Sequence, residues 1–191
     1  MPNPFFTIGH STRPIEAFVA LLKDADVRLL VDVRTIPRSR MNPQFNRDAL
    51  PASLAAHGIG YQHLPSLGGL RGRQRDVSPE TNAFWDNASF HNYADYAMGE
   101  EFRSGLEKLR ELGRAERAAV MCAELPWQRC HRRIIADYLL AAGEEVVHIL
   151  GPGRIEPARS TEAARIEPNG ALTYPRTLPL LDKGDDASFM R

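Results

Sequence analysis

The chemistry-bearing residues crowd one stretch of the chain, Cys122-Ala123-Glu124 followed six residues on by Cys130-His131-Arg132. A thiol becomes a strong nucleophile once ionised, and a nearby cation or helix amino terminus lowers its pKa. Imidazole and carboxylate move protons in water near neutral pH. Cys122 is therefore the candidate nucleophile, and Glu124 and His131 are the candidates for proton transfer. The competing reading of Cys122 is an inert core thiol, since free cysteine is among the most buried residue types. A zinc site built from Cys122, Cys130, His131 and His63 is disfavoured by spacing, because structural zinc sites usually take paired ligands two to four residues apart. The sequence calls for no metal and no other cofactor.

A second signal is charge segregation. Residues 34–47, 71–75 and 129–133 hold ten arginines and no acidic residue, which leaves +10 in these segments and −10 elsewhere in a chain of zero net charge. An arginine-rich composition, 21 of the 24 basic residues, explains the choice of Arg over Lys. It does not explain why the acids stay away. Guanidinium forks grip phosphate and carboxylate bidentately, so Arg34, Arg38, Arg71 and Arg132 are candidate contacts to an anionic substrate. His10 and Ser11 join them as candidate substrate contacts, and so does Asp32. That carboxylate lies in an apolar run, where it needs a partner; pairing with Arg34 or Arg132 would aim a guanidinium at the ligand.

The elements that must carry these residues are legible from periodicity. Apolar runs at Phe5 to Ile8, Leu29 to Val33, Gly60 to Leu64, Ala118 to Cys122 and Glu145 to Leu150 read as five strands. Between them, Ile15, Phe18, Val19 and Leu22 mark a helix capped by Ser11 or Thr12. Asn46 to His57 reads as a second helix stopped by Gly58, followed by helices over about 79–98, 100–112 and 130–142. Strands alternating with helices predict an α/β fold: an open, mostly parallel five-stranded sheet with helices on both faces, Rossmann-like or flavodoxin-like, plus a short C-terminal hairpin around Pro168-Asn169-Gly170. Residues 1–180 are expected to form a single domain and 181–191 a loosely held tail. In such sheets ligands bind beyond the carboxyl ends of the strands, where His10, Ser11, Arg34, Arg38, His63, Cys122 and Glu124 fall.

Two further segments are weaker signals. Gly68-Gly69-Leu70-Arg71-Gly72-Arg73 lacks the lysine of a P-loop and the position of a dinucleotide fingerprint, and is read as a flexible flap closing over an anion. Phe84, Trp85, Phe90, Tyr93 and Tyr96 could stack bases, but the helical spacing of Phe90, Tyr93 and Ala97 favours core packing.

The motifs Thr7-Ile8-Gly9-His10-Ser11, Val31-Asp32-Val33-Arg34 with Pro37-Arg38-Ser39, and Cys122-Ala123-Glu124 with Cys130-His131-Arg132 occur in this order. Together they resemble the DUF488 family over roughly residues 5–150. The resemblance implies an α/β fold with these motifs around a common cleft, and no settled reaction. Cys122 with Arg129 seven residues on also resembles a rhodanese or phosphatase loop, at a longer spacing than that pattern usually has.

Composition bounds the class. An apolar share of 43% and a charged share of 25% are those of a globular protein. No apolar run reaches the roughly 18–20 residues needed to cross a bilayer, no secretory leader is recognisable, and two cysteines make no disulfide framework. The expectation is a cytoplasmic protein without a membrane partner. Its leading function is an enzyme, a hydrolase or transferase, acting on a phosphate-bearing substrate such as a nucleotide or nucleic-acid component. The alternatives are a non-catalytic module binding nucleic acid or a phosphorylated ligand, and rhodanese-like or phosphatase-like thiol chemistry at Cys122.

Overall fold

The apolar runs of the sequence become adjacent strands of one sheet in the computed structural model, which describes residues 2–176. The elements in chain order are β1 (Phe5–Gly9), α1 (Ile15–Asp24), β2 (Leu29–Asp32), α2 (Leu50–Ala55), β3 (Gly60–His63), α3 (Ala88–Ala97), α4 (Glu100–Ala115), β4 (Ala118–Cys122), α5 (Arg132–Ala141), β5 (Val146–Gly151), β6 (Arg154–Pro157), β7 (Arg165–Ile166) and β8 (Leu172–Thr173). The strands β3-β2-β4-β1-β5-β6 form a six-stranded sheet, parallel except for β6, and β7 pairs with β8 in a separate hairpin. The open α/β architecture is thus as expected, with one strand more. β6 escapes a hydrophobicity reading because it is exposed along its whole length and ends in Pro157, as an edge strand tolerates. The tail expected at 181–191 lies outside the described residues.

Side chains alternate across the sheet and bury both of its faces. Phe6, Ile8, Leu30, Ala119 and Met121 pack with Phe18 and Leu22 of α1 and Leu50 and Leu54 of α2. The opposite face, with Val31, Val33, Val120 and Cys122, packs on Tyr93, Phe102, Ile135 and Leu139 from α3, α4 and α5. Both layers are needed, because β1, β2 and β4 are buried at every position and a parallel sheet is stable only when covered on both sides.

Three helices start later than expected, each for a local reason. Ser11 adopts a left-handed backbone (φ 48°) and spends its amide on the Ala123 carbonyl, so α1 starts only after Pro14. The Asn46 side chain accepts the Ser39 amide at 2.6 Å instead of capping, which delays α2 to Leu50. In the stretch expected as helix from 79, Asn82 is buried and bonded to Asp95 and the Tyr174 amide. The helix starts where Asn87 caps it, its Oδ1 accepting the Ser89 and Phe90 amides. Among the described residues no helix is long and apolar enough to cross a membrane.

Strand order decides the site. β1 and β2, neighbours in the common doubly wound orders, are here separated by β4. The pairing continues past the strands proper: the His10 and Ser11 amides donate to the Cys122 and Ala123 carbonyls, and the Val33 amide donates to Met121. Gly9 permits this approach, since a Cβ there would collide with the Glu124 carbonyl. Gly9→Ala is therefore expected to destabilise the protein by about 1–3 kcal/mol, the usual cost of overpacking, measured by urea unfolding followed by circular dichroism.

Candidate functional site

The three polar motifs follow three adjacent strand ends and line one cleft of about 820 Å³. Its floor holds Cys122, Cys130 and His131, and its walls include His10, Thr35, Phe90 and the glycine-arginine loop at 69–72. Four arginines, Arg34, Arg38, Arg71 and Arg129, and one acidic residue, Glu124, are among the lining residues.

These arginines are not equivalent. Arg34 is bound bidentately by Asp32, Nε–H to Oδ1 at 2.9 Å and Nη2–H to Oδ2 at 2.6 Å, with Nη2 also donating to the Phe45 carbonyl. Asp32 additionally accepts the Arg34 amide and the Tyr61 hydroxyl, at 3.1 and 2.6 Å. The carboxylate is wholly buried and absent from the cleft lining, so its contact is with Arg34 and not with open space. Arg34 presents Nη1 to Nε2 of His10 at 3.3 Å.

Arg132 lies behind the floor, almost fully buried and outside the cleft lining. Its Nη2 donates to the Glu124 and Leu125 carbonyls, its Nη1 to Thr7 Oγ1 at 3.5 Å, and its Nε to Cys130 Sγ at 3.3 Å. Arg71 lines the cleft but is anchored: it donates to the Gly68 and Pro65 carbonyls, lies 3.9 Å over the Tyr96 ring and sits 3.7 Å from Glu101. The segment read as a flexible flap is thus tied down, and Gly69 packs so close that a Cβ would stand 2.9 Å from His131 Nδ1. Arg38 and Arg129 are exposed at the rim, with no side-chain partner among the described residues.

His10 is held as a neutral acceptor. Its Nδ1–H donates to the Ser11 carbonyl at 2.8 Å, its ring stacks on Phe45, and burial lowers its pKa to about 4, reinforced by Arg34. Ser11 itself lies outside the cleft lining. Glu124 is exposed and lines the cleft.

The floor is the densest chemistry. His131 Nε2 stands 3.0 Å from the Val33 carbonyl, which has no hydrogen to give, so Nε2 is the donor. Nδ1 then faces both sulfurs, 3.9 Å from Cys122 Sγ and 3.7 Å from Cys130 Sγ. Cys130 stands two residues before α5, next to its cap residue His131, and accepts the Arg132 amide as well as its Nε–H. Burial opposes ionisation of Cys130, but the neighbouring Cys122 thiol, the His131 ring and the Arg132 guanidinium bring its pKa well below the ordinary thiol value. The adjacent Cys130 sulfur, together with burial, pushes the Cys122 thiol up. Of the two sulfurs, Cys130 is the one disposed to ionise, although the sequence singles out Cys122. The same three donors, Cys122, Cys130 and His131, lie within 4.8 Å of one another, as the ligands of a metal ion would.

Sequence reasoning brought His10, Arg34, Arg38, Arg71, Cys122, Glu124 and His131 to the cleft. It noted Cys130 and Arg129 within motifs without giving either a role in the site, and it did not note Thr35. The available signal for Cys130 was its position just ahead of a helix, flanked by His131 and Arg132; for Thr35, whose hydroxyl has no partner among the described residues, there was none.

Two outcomes follow from this geometry. Asp32→Asn leaves Arg34 buried without its counter-charge and is expected to cost about 3–5 kcal/mol, read from chemical unfolding. His148 is also buried, its Nδ1 2.7 Å from Thr7 Oγ1, and burial lowers its pKa to about 4, as for His10. Unfolded histidine titrates near 6.5, so below that pH the unfolded chain takes up protons that the folded one refuses. The contribution of these two histidines to stability is complete above about pH 6.5 and is lost as pH falls toward 4. The urea midpoint should drop over this window, and His148→Gln should flatten the dependence.

No curated protein and no solved structure matches the chain. The sequence profile described as "Domain of unknown function DUF488" matches residues 14–139 of the 191. The match takes in the motifs around Asp32 and Cys122 and begins just after Gly9-His10-Ser11, which the structure sets beside them. The chain belongs to the DUF488 family.

Proposed function

We propose that this protein is an enzyme, a hydrolase or transferase, that acts on a phosphate-bearing substrate, a nucleotide or nucleic-acid component, in the cleft at the carboxyl ends of β2, β4 and β1. The carrying observation is the basic lining of that cleft: Arg38 and Arg129 are unspent on any side-chain partner among the described residues, Arg71 lies beside them, and Glu124 is the one acidic residue of the lining. The volume supports a ligand of nucleotide size, since small-molecule sites run to roughly 300–1,000 Å³. Phe90, stacked on Trp85, supplies an aromatic wall suited to a base.

In this reading Arg38, Arg71 and Arg129 hold the phosphate. Arg34, neutralised by Asp32, keeps His10 oriented toward the substrate. Ser11 acts through its backbone, which fixes β1 against β4. Glu124, the exposed carboxylate of the cleft, serves proton transfer to or from the leaving or attacking oxygen. Cys122, Cys130 and His131 form the reacting centre, and Arg132 positions it from behind. Both cysteines are free, which suits a reducing cytoplasm.

The test pairs binding with turnover. Phosphate and a panel of nucleotides are titrated by calorimetry, and hydrolysis of nucleotides and phosphodiesters is followed by phosphate release. Arg38→Ala and Arg129→Ala are expected to weaken phosphate affinity about tenfold each, consistent with charge-assisted hydrogen bonds of about 1.5–3 kcal/mol. Glu124→Gln should lower turnover by about 10²–10⁴-fold while sparing affinity. If the arginine variants lose binding and the wild type turns over nothing in the panel, the site is a phospho-ligand binding module instead.

A further inference from the structure

The carboxyl end of β4 and the start of α5 bring together three donor atoms that the linear sequence separates. We propose that Cys122, Cys130 and His131 bind one zinc ion, with the fourth coordination position open to the cleft. This goes beyond the substrate reading above and does not depend on it.

Three independent features of the geometry carry it. The first is distance. In tetrahedral zinc with Zn–S bonds of about 2.3 Å and Zn–N bonds of about 2.0–2.1 Å, neighbouring ligand atoms stand about 3.5–3.8 Å apart. His131 Nδ1 lies 3.9 and 3.7 Å from the two sulfurs, and all three donors lie within 4.8 Å of one another. The two nitrogen–sulfur distances are within a few tenths of an ångström of those values, and the 4.8 Å bound on the set leaves the sulfurs at most about one ångström to close.

The second is orientation. Metal-binding histidine almost always gives its other ring N–H to a carbonyl or carboxylate, which fixes tautomer and direction. The Val33 carbonyl takes that bond from Nε2 at 3.0 Å, so with a metal bound the Nδ1 lone pair is the one turned to the sulfurs.

The third is the support of the sulfurs. Cys130 Sγ accepts the Nε–H and backbone N–H of Arg132, at 3.3 and 3.5 Å. Arg132 is locked in turn by the Glu124 and Leu125 carbonyls and by Thr7 Oγ1. A buried guanidinium with no carboxylate partner needs compensating negative charge, and a thiolate supplies it.

Donor chemistry selects the metal. Two thiolates and an imidazole suit zinc, whereas magnesium and calcium require oxygen ligands. Two cysteines and one histidine with a free position is also a known catalytic ligand set, and all three residues line the cleft floor. A water or a substrate oxygen would take the fourth position, within the field of the rim arginines. The eight-residue interval from Cys122 to Cys130 departs from the paired spacing of structural zinc sites because the ligands come from a strand end and a helix start, joined by a loop.

The experiment uses the full chain, expressed in zinc-supplemented medium and analysed by inductively coupled plasma mass spectrometry. About one zinc per chain is expected. After removal by a chelator, cobalt(II) should restore one equivalent with an intense thiolate-to-cobalt charge-transfer band and the visible bands of tetrahedral cobalt. Cys122→Ser, Cys130→Ser and His131→Ala should each weaken binding beyond the roughly 10–100-fold that changes in the outer shell cost, while Arg38→Ala retains the metal. Both thiols should resist iodoacetamide in the zinc form and react after chelation. Wild-type protein with well under one zinc and no charge-transfer band overturns the proposal, as does prompt alkylation in the presence of zinc, and neither result depends on how the substitutions fold. Phosphate affinity, measured separately on the same samples, keeps this result distinct from the substrate reading: protein without metal that still binds phosphate overturns only the zinc site.

Discussion

β4 runs between β1 and β2, and the chemistry of the molecule depends on that placement. Each parallel neighbour bonds to β4 up to its carboxyl end, and the bonding carries on into the turns: His10 and Ser11 on one side, Val33 on the other. Peptide groups buried there must be paired. The ladder therefore fixes both which side chains emerge beside Cys122 and at what height. The absence of a Cβ at Gly9 keeps the loop after β4 close enough for the Glu124 carbonyl to lie over the end of β1.

Two buried arginines sit beneath this arrangement, and they are compensated in different ways. A guanidinium cannot shed its proton, so each must find negative charge or carbonyl oxygens where it stands. Arg34 finds a carboxylate, Asp32, which is itself satisfied by Tyr61 and a backbone amide. Arg132 finds carbonyls, the Thr7 hydroxyl and the Cys130 sulfur. The first pair is close to neutral and shapes the wall of the cleft. The second leaves a guanidinium without a carboxylate partner directly beneath the Cys130 sulfur.

The rim differs from the floor in what its cations are used for. Arg71 is held by two carbonyls and an aromatic ring and serves to pin its loop over His131 as much as to meet a ligand. Arg38 and Arg129 bear no comparable structural duty among the described residues. Charge segregation along the chain marked arginines that do gather at one cleft, but it could not separate those spent on the fold from those without a side-chain partner among the described residues.

Local periodicity and residue type determined the five parallel strands, the helical layers and the identity of the polar motifs at the strand ends, because a side chain's tendency to be buried repeats with the backbone geometry of its own segment. The starts of α1, α2 and α3 were not legible, since Ser11 and Asn46 bond across to other segments or around a turn instead of capping and Asn82 is drawn into buried bonds to Asp95 and the Tyr174 amide. Nor was β6, an exposed edge strand with no apolar signature. Only tertiary structure decided that Gly9 pairs with Cys122 and that Asp32 is consumed by Arg34. It also decided that Arg132 faces inward and that Cys130 joins Cys122 and His131 at the floor. Those outcomes depend on which distant strand lies alongside which, and no pattern within a single segment encodes that choice.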